Sequence, residues 1–254
     1  IAYNPCPKDL DGDGLIGVED LLQLLNAFGT DCPDPNEPEQ AGWTCGDAVN
    51  YYGYDYATVQ IGEQCWFAEN LRTEYYANGD AIPGELSNSE WSNAGDTNLG
   101  AQAVYNNDAS NLADYGRLYN WYAVDDARGL CPTGWHVPTD GEYMTLEMAL
   151  GMSESQANST SWRGHDQGTQ MKSSPSDDPS WNGTNTSGFS ALAGGSRSST
   201  GDFGNEGYSG VFWSSSPDGL IAWHRSLSSW SSEVYRGPHF HQRFGFSVRC
   251  VRDE

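Results

Sequence analysis

Positive charge is what this sequence has least of. Twelve Lys and Arg stand against thirty-five Asp and Glu, a formal charge of −23. A surface this acidic repels nucleic acid and anionic membranes, which argues against both as partners. No hydrophobic run approaches the ~18 residues that a membrane span requires. The six cysteines include no C-x-x-C pair, so zinc and dithiol redox chemistry are the poorer readings and disulfides in an oxidising compartment the better one. Neither an initiating Met nor a basic-then-apolar leader precedes Ile1, so the chain reads as processed and secreted, extracellular or on a cell surface. No period of 20 to 50 residues recurs, which excludes a solenoid.

What is present is aromatic and turn-forming. Hydrophobic residues make up 37% of the 254 positions, but ten Trp, fourteen Tyr and eight Phe bury large areas each, enough for a core. Thirty glycines with many Ser and Asn point to a loop-rich domain rather than a helix bundle.

The first chemistry-bearing motif is "DLDGDGLIGVED", residues 9–20. Asp9, Asp11 and Asp13 occupy positions 1, 3 and 5 of a calcium loop, Gly14 the sharp turn at 6, the Leu15 carbonyl position 7 and Asp20 position 12. Oxygens at this spacing converge on one hard cation, and without it the three leading carboxylates repel. Ile16 is the expected anchor of the loop, and Gly17 leaves its ligand position to water. Leu21, Leu22, Leu24, Leu25 and Phe28 then give an apolar face to a helix predicted over Val18–Phe28 and ended by Gly29. Residues 5–32 resemble a dockerin-type calcium repeat, a module that plugs secreted bacterial enzymes into scaffolds. Dockerins usually carry two repeats and this chain has one, so the module reads as a Ca2+-rigidified spacer. Cys6 and Cys32 flank it and make a candidate staple worth ~3 kcal/mol.

Residues 33–44 form a linker in which Pro33, Pro35 and Pro38 alternate with acids, a stiff extended spacer. From Cys45 the texture changes to short runs. Residues 54–71 predict a β-hairpin turning at Gly62-Glu63. Residues 115–130 predict a helix-like segment with an aromatic face. Thr139 followed by Glu142 predicts a capping box opening a helix to Leu150, stopped by Gly151.

Six ordered segments, "YATVQIGEQCWFAENL", "YGRLYNWYAV", "ARGLCPTGWHVPTDGEY", "GFSALAGGSR", "FWSSS" and "GFSVRCV", resemble the Fibrobacter succinogenes major paralogous domain over about residues 46–252. The resemblance implies a secreted protein with no established activity and a C-type-lectin-like fold. The expected fold class is therefore α+β: short strands, two helices and long loops over 45–254, with a calcium-loop-helix module over 1–32. It also implies a Cys131–Cys250 bridge, with Cys45 and Cys65 left over; sequence alone permits fifteen pairings of six cysteines.

Sites are sparse. The Glu-Pro-Asn or Gln-Pro-Asp tripeptides of calcium-dependent sugar-binding lectins are missing, and "PSWNGT" (179–184) is a partial echo. "HRSLSSWSSEVYRG" (224–237) offers Trp223, Trp230 and Tyr235 as a strip on which sugar rings would stack. The competing reading puts Trp121, Trp135 and Trp213 in the core and Trp223 and Trp230 on strand faces. His239 and His241, two apart on a strand, form a candidate zinc pair without a third ligand. Segments "VPTDGEY" and "GFSVR" also resemble the formylglycine-generating enzymes, which rely on paired active-site cysteines; here Cys131 and Cys250 occupy disulfide-like places. Asp125-Asp126 and Asp177-Asp178 read as turn acids, and no Ser/His/Asp or Cys/His arrangement has a catalytic context. Asn158, Asn182 and Asn185 open formal glycosylation sequons. The resulting expectation is a non-catalytic, calcium-binding structural or adhesive protein. It would self-assemble as a homo-oligomer or filament through its N-terminal arm; the alternative is a carbohydrate-binding module with glycan partners.

Overall fold

The computed structural model describes residues 43–253. The predicted calcium ligands Asp9, Asp11, Asp13, Leu15 and Asp20, the Val18–Phe28 helix, Cys6, Cys32 and the linker to residue 42 lie outside the described residues.

The domain is α+β and dominated by sheet. Its strands in chain order are β1 (Val49–Tyr51), β2 (Tyr54–Tyr56), β3 (Thr58–Ile61), β4 (Gln64–Phe67), β5 (Gln102–Ala103), β6 (Leu118–Asn120), β7 (Trp135–His136), β8 (Ser161–Arg163), β9 (Gly194–Arg197), β10 (Phe203–Glu206), β11 (Ser209–Asp218), β12 (Ile221–Ser228), β13 (Val234–His241), β14 (Gly245–Phe246) and β15 (Val251–Arg252). A nine-stranded sheet runs β5-β6-β14-β9-β11-β12-β13-β8, with β10 paired to β9. A four-stranded sheet runs β3-β4-β15-β7, and β1 and β2 form a separate ribbon. The β11–β9 contact is parallel; the other named strand pairs are antiparallel.

The predicted hairpin is present as β3–β4, with Val59 opposite Trp66 and Gly62 in the turn at φ +61°. A side chain at that φ is strained, which is why glycine stands there. The capping box is also present. Thr139 Oγ1 accepts from the Glu142 amide and the Glu142 carboxylate accepts from the Thr139 amide, opening the helix Asp140–Ala149. Two further boxes, Ser87 with Glu90 and Ser153 with Gln156, open the helices Asn88–Asp96 and Glu154–Asn158. Among the described residues, helices of nine and ten residues are joined by four of four or five residues, more than the two expected.

The aromatic segment 115–130 is not one helix. Gly116 at φ +68° breaks it after the short helix Leu112–Tyr115, β6 follows, and one turn, Trp121–Val124, closes it. Asn120, extended at the end of β6, restarts the helix: its Oδ1 caps the turn Trp121–Val124 by accepting from the Ala123 amide and also accepts from the Ala101 amide just before β5.

The main core lies where Asp140–Ala149 and the small sheet meet the large one. Trp66, Tyr143, Leu146, Phe189, Phe212 and Val251 are fully buried there. Trp121, Trp135 and Trp213 are buried, as the core reading expected. Two disulfides, Cys45–Cys65 and Cys131–Cys250, match the pairing the resemblance implied.

Candidate functional site

Most of the domain's charge chemistry is used to hold the fold. Glu147, fully buried on Asp140–Ala149, accepts from Arg225 Nε at 2.6 Å and from Arg163 Nη2. Asp140 accepts from Arg225 Nη1 at 2.7 Å and Arg236 Nη2 at 2.7 Å. Burial pushes the Asp140 carboxyl up, but the Arg236 and Arg225 guanidinia outweigh it and hold it below the usual range. Two acids thus hold three arginines from β8, β12 and β13, leaving one net positive charge in a clasp between helix and sheet. Arg249, from the "GFSVR" segment, is fully buried with no carboxylate. It donates instead to Asn70 Oδ1 and to the carbonyls of Phe67, Phe189 and Ser190, and burial pushes it down to about 9. These groups are beyond reach of a substrate.

The paired acids are likewise engaged. Asp126 pairs with Arg128 at 2.7 Å, and Asp177 accepts from the Ser174 amide and Asn185 Nδ2. His239 is exposed and His241 half-buried on β13. The imidazole that faces His239 is His224 of β12, ring centroids 5.2 Å apart. Among the described residues no group of three His, Cys, Asp or Glu is placed to hold a metal.

Of the three residues expected to form a sugar strip, the structure opens one. Trp223 is half-buried with the Arg236 guanidinium 4.2 Å over its ring. Tyr235 packs between Trp162 and His224. Trp230 is neither core nor on a strand; it sits in the β12–β13 turn, 78% exposed. Its ring stacks at 5.2 Å, tilted by 10°, on Tyr208, which is 55% exposed in the β10–β11 turn.

The turn carrying Trp230 is fixed from beneath. The Ser229 amide donates to the Tyr208 carbonyl at 2.9 Å, and Asn182 Nδ2 donates to the Ser229 carbonyl at 2.7 Å. Trp181 Nε1 donates to Ser229 Oγ. Lys172 Nζ, buried, donates to the carbonyls of Ser228 and Ser231 at 2.8 and 2.9 Å. The "PSWNGT" segment therefore serves as a buttress for this aromatic platform. Asn158 and Asn182 are exposed, whereas the Asn185 side chain is half-buried and bonded to Asp177 and Ser190. Asn158 and Asn182 are the more exposed sequons, but Asn182 Nδ2 is committed to the Ser229 carbonyl.

A second feature was not singled out in the sequence. Three adjoining surface cavities of about 390, 400 and 410 Å³ form a groove along the ridge Ala109–Asp114. The first and second share Glu74, Tyr75, Leu112 and Arg117; the second and third share Tyr54, Arg72 and Ala113. Its middle section is lined with tyrosine, because β1 and β2 carry "YYGYDY". Tyr52 and Tyr75 lie ring to ring at 5.1 Å. Tyr54 donates to Glu69 at 2.5 Å under the Arg72 guanidinium, and burial together with Glu69 pushes its hydroxyl up to about 12. Arg117 donates to Gln102 at 2.7 Å and to Glu74 at 3.3 Å, while Arg72 Nε is buried without a hydrogen-bond partner. Aromatic walls with a few convergent polar groups are the usual make-up of a binding cleft.

The chain belongs to the family described as the Fibrobacter succinogenes major domain, whose model matches residues 59–252. No curated protein and no solved structure matches it.

Proposed function

We propose that the protein is a secreted, non-catalytic structural or adhesive subunit that carries a C-type-lectin-like domain on a calcium-binding arm and self-associates into a fibre through that arm. The observation that carries this reading is the solvent-facing stack of Trp230 on Tyr208, buttressed by Ser229, Asn182 and Lys172. A rigid, open pair of large rings on so acidic a domain suits contact with a partner, since such patches mark interaction surfaces. Two disulfides suit an oxidising, extracellular setting, and no helix among the described residues is long and apolar enough to cross a membrane. The oxygen set of Asp9, Asp11, Asp13, the Leu15 carbonyl and Asp20 suits a hard cation, and these residues would hold Ca2+. With the ion in place, part of the like-charge repulsion that opposes association of copies at −23 is removed, and ionic strength near 0.15 M screens charges beyond about 8 Å.

Light scattering of the full chain in millimolar calcium tests this. Concentration-dependent growth beyond the monomer is expected, and a monomer throughout refutes it. The same aromatic stack favours a second reading, a carbohydrate-binding module in which sugar rings lay their C–H faces on Trp230. A glycan array that responds to the wild type and loses the signal in Trp230→Ala would select that reading.

A further inference from the structure

We propose that the Trp230–Tyr208 stack is a calcium-independent site for neutral glycans, which takes one uncharged pyranose ring on its open face and turns acidic sugars away. The inference rests on the second reading above and names the substrate class of that same site; association through the arm does not depend on it.

The first ground is where the acids are missing. Asp and Glu make up 35 of the 254 residues, yet 179–201 and 219–232 contain neither. The fold brings these two acid-free stretches together, since Trp181 and Asn182 bond to Ser229 in the turn that carries Trp230. The exposed polar side chains on the two turns, Asn205 and Ser232, are neutral donors and acceptors of the kind that bond sugar hydroxyls. Glu206 and Glu233 border the turns, both half-buried. Glu206 acts on Tyr105 and Tyr115, whose hydroxyls burial and that carboxylate together push up. The acid-free stretches bring no carboxylate to the rings that could bridge a calcium ion to a sugar. A uronate meets the repulsion of a chain at −23, and a neutral sugar does not.

Geometry and rigidity give the other grounds. Rings parallel to within 10° at 5.2 Å cover one face of Trp230, and its 78% exposure leaves the other face to solvent. A pyranose with equatorial hydroxyls lays its axial C–H bonds on the electron-rich face of such a ring. The size also selects a small ligand. With 78% of Trp230 and 55% of Tyr208 exposed, the pair offers no more than about 350 Å², under half of the ~800 Å² that one side of a stable protein interface buries. Lys172 is 1% exposed, has no carboxylate partner and spends its ammonium on the carbonyls of Ser228 and Ser231. Burying a charge to pin a surface turn costs stability, and the return is an indole already ordered before a ligand arrives.

The test is saturation-transfer NMR on the full chain, with cellohexaose, mannohexaose and xylohexaose at millimolar concentration as neutral probes and hexagalacturonate as the acidic one. Each is measured in calcium and again in EDTA. The expected result is transfer to the ring C–H protons of at least one neutral probe, unchanged in EDTA and absent for hexagalacturonate. Trp230→Ala and Tyr208→Ala should weaken binding tenfold or more, and Trp230→Phe less than threefold. Trp230 and Tyr208 are exposed in turns, and unchanged melting of the variants separates a lost site from a lost fold. No transfer to any neutral probe, stronger transfer to hexagalacturonate, loss of the signal in EDTA, or a signal retained in Trp230→Ala each overturns the inference. Light scattering on the same samples keeps the two readings apart. Calcium-dependent growth without a glycan signal leaves self-association standing and overturns this site; if Trp230→Ala also abolishes that growth, the stack belongs to a second copy. A glycan signal from a protein that stays monomeric supports the site and overturns self-association.

Discussion

His224→Phe is the substitution that asks most of this fold. His224 is fully buried on β12, opposite Trp213, and packed against Tyr235, Phe240 and Phe246. Neither ring nitrogen has a well-formed hydrogen bond. Burial, then the neighbouring His239, push its pKa down to about 3, with the Ala222 carbonyl opposing weakly. The unfolded chain's imidazole titrates near 6.5, so below that pH the unfolded state binds a proton that the native state refuses. Native stability must therefore fall as pH drops from about 6.5 towards 3, by about 1.4 kcal/mol per pH unit. At pH 4.5 the loss from this one group is about 3 kcal/mol. In His224→Phe that component vanishes. At pH 7 the change should be small, because removing unpartnered nitrogens gains about 1–3 kcal/mol and the larger ring costs a similar amount in overpacking. Urea unfolding with disulfides intact, at pH 7 and pH 4.5, measures both. The variant should overtake the wild type in the acid by about 3 kcal/mol relative to their difference at pH 7. Parallel acid losses in the two proteins would show that the imidazole is not held neutral and would refute the reasoning.

Glu147→Gln should destabilise by about 3–5 kcal/mol, since it leaves Arg163 and Arg225 facing each other without their shared carboxylate; a loss under 1 kcal/mol in denaturant titration contradicts that. Removing calcium with a chelator should speed proteolysis within residues 1–32 while the cleavage rate of residues 44–253 stays unchanged; an equally resistant arm speaks against the ion. Replacing Cys131 and Cys250 by Ser opens a loop with a sequence separation of 119 and should cost about 5 kcal/mol, against about 3 kcal/mol for Cys45 and Cys65 with a separation of 20. Equal melting shifts for the two pairs would contradict that ranking.

What the chain discloses in one dimension is what is encoded locally. The Thr139–Glu142 box and the Gly62 turn each lie within four residues, and both stand in the structure where the pattern put them. The clasp of Asp140, Glu147, Arg163, Arg225 and Arg236 is spread over almost a hundred residues, and no spacing rule brings those charges together before the sheet does. The groove is hidden for the same reason: Tyr52 and Tyr54 are conspicuous as a run, but Arg117 and Leu112 reach them only through the fold. Tyr208 carries no periodic signal, and its value appears once Trp230 lies on it. The misread 115–130 segment fails differently. Its aromatic pattern suits a helix, but Gly116 takes a positive φ that ends one and Asn120 caps the start of another.

Both ends of the described domain enter one small sheet. Cys45 is bonded to β4, and β15, which follows Cys250, is hydrogen-bonded between β4 and β7. Tension applied between Trp43 and Asp253 therefore passes first through the Cys45–Cys65 bridge and the hydrogen bonds between β4 and β15, and the nine-stranded sheet is spared while those bonds hold. Once they part, the covalent route runs from Cys65 to Cys131 through β5 and β6, so the short β4–β15 pairing is the mechanical fuse that protects the large sheet.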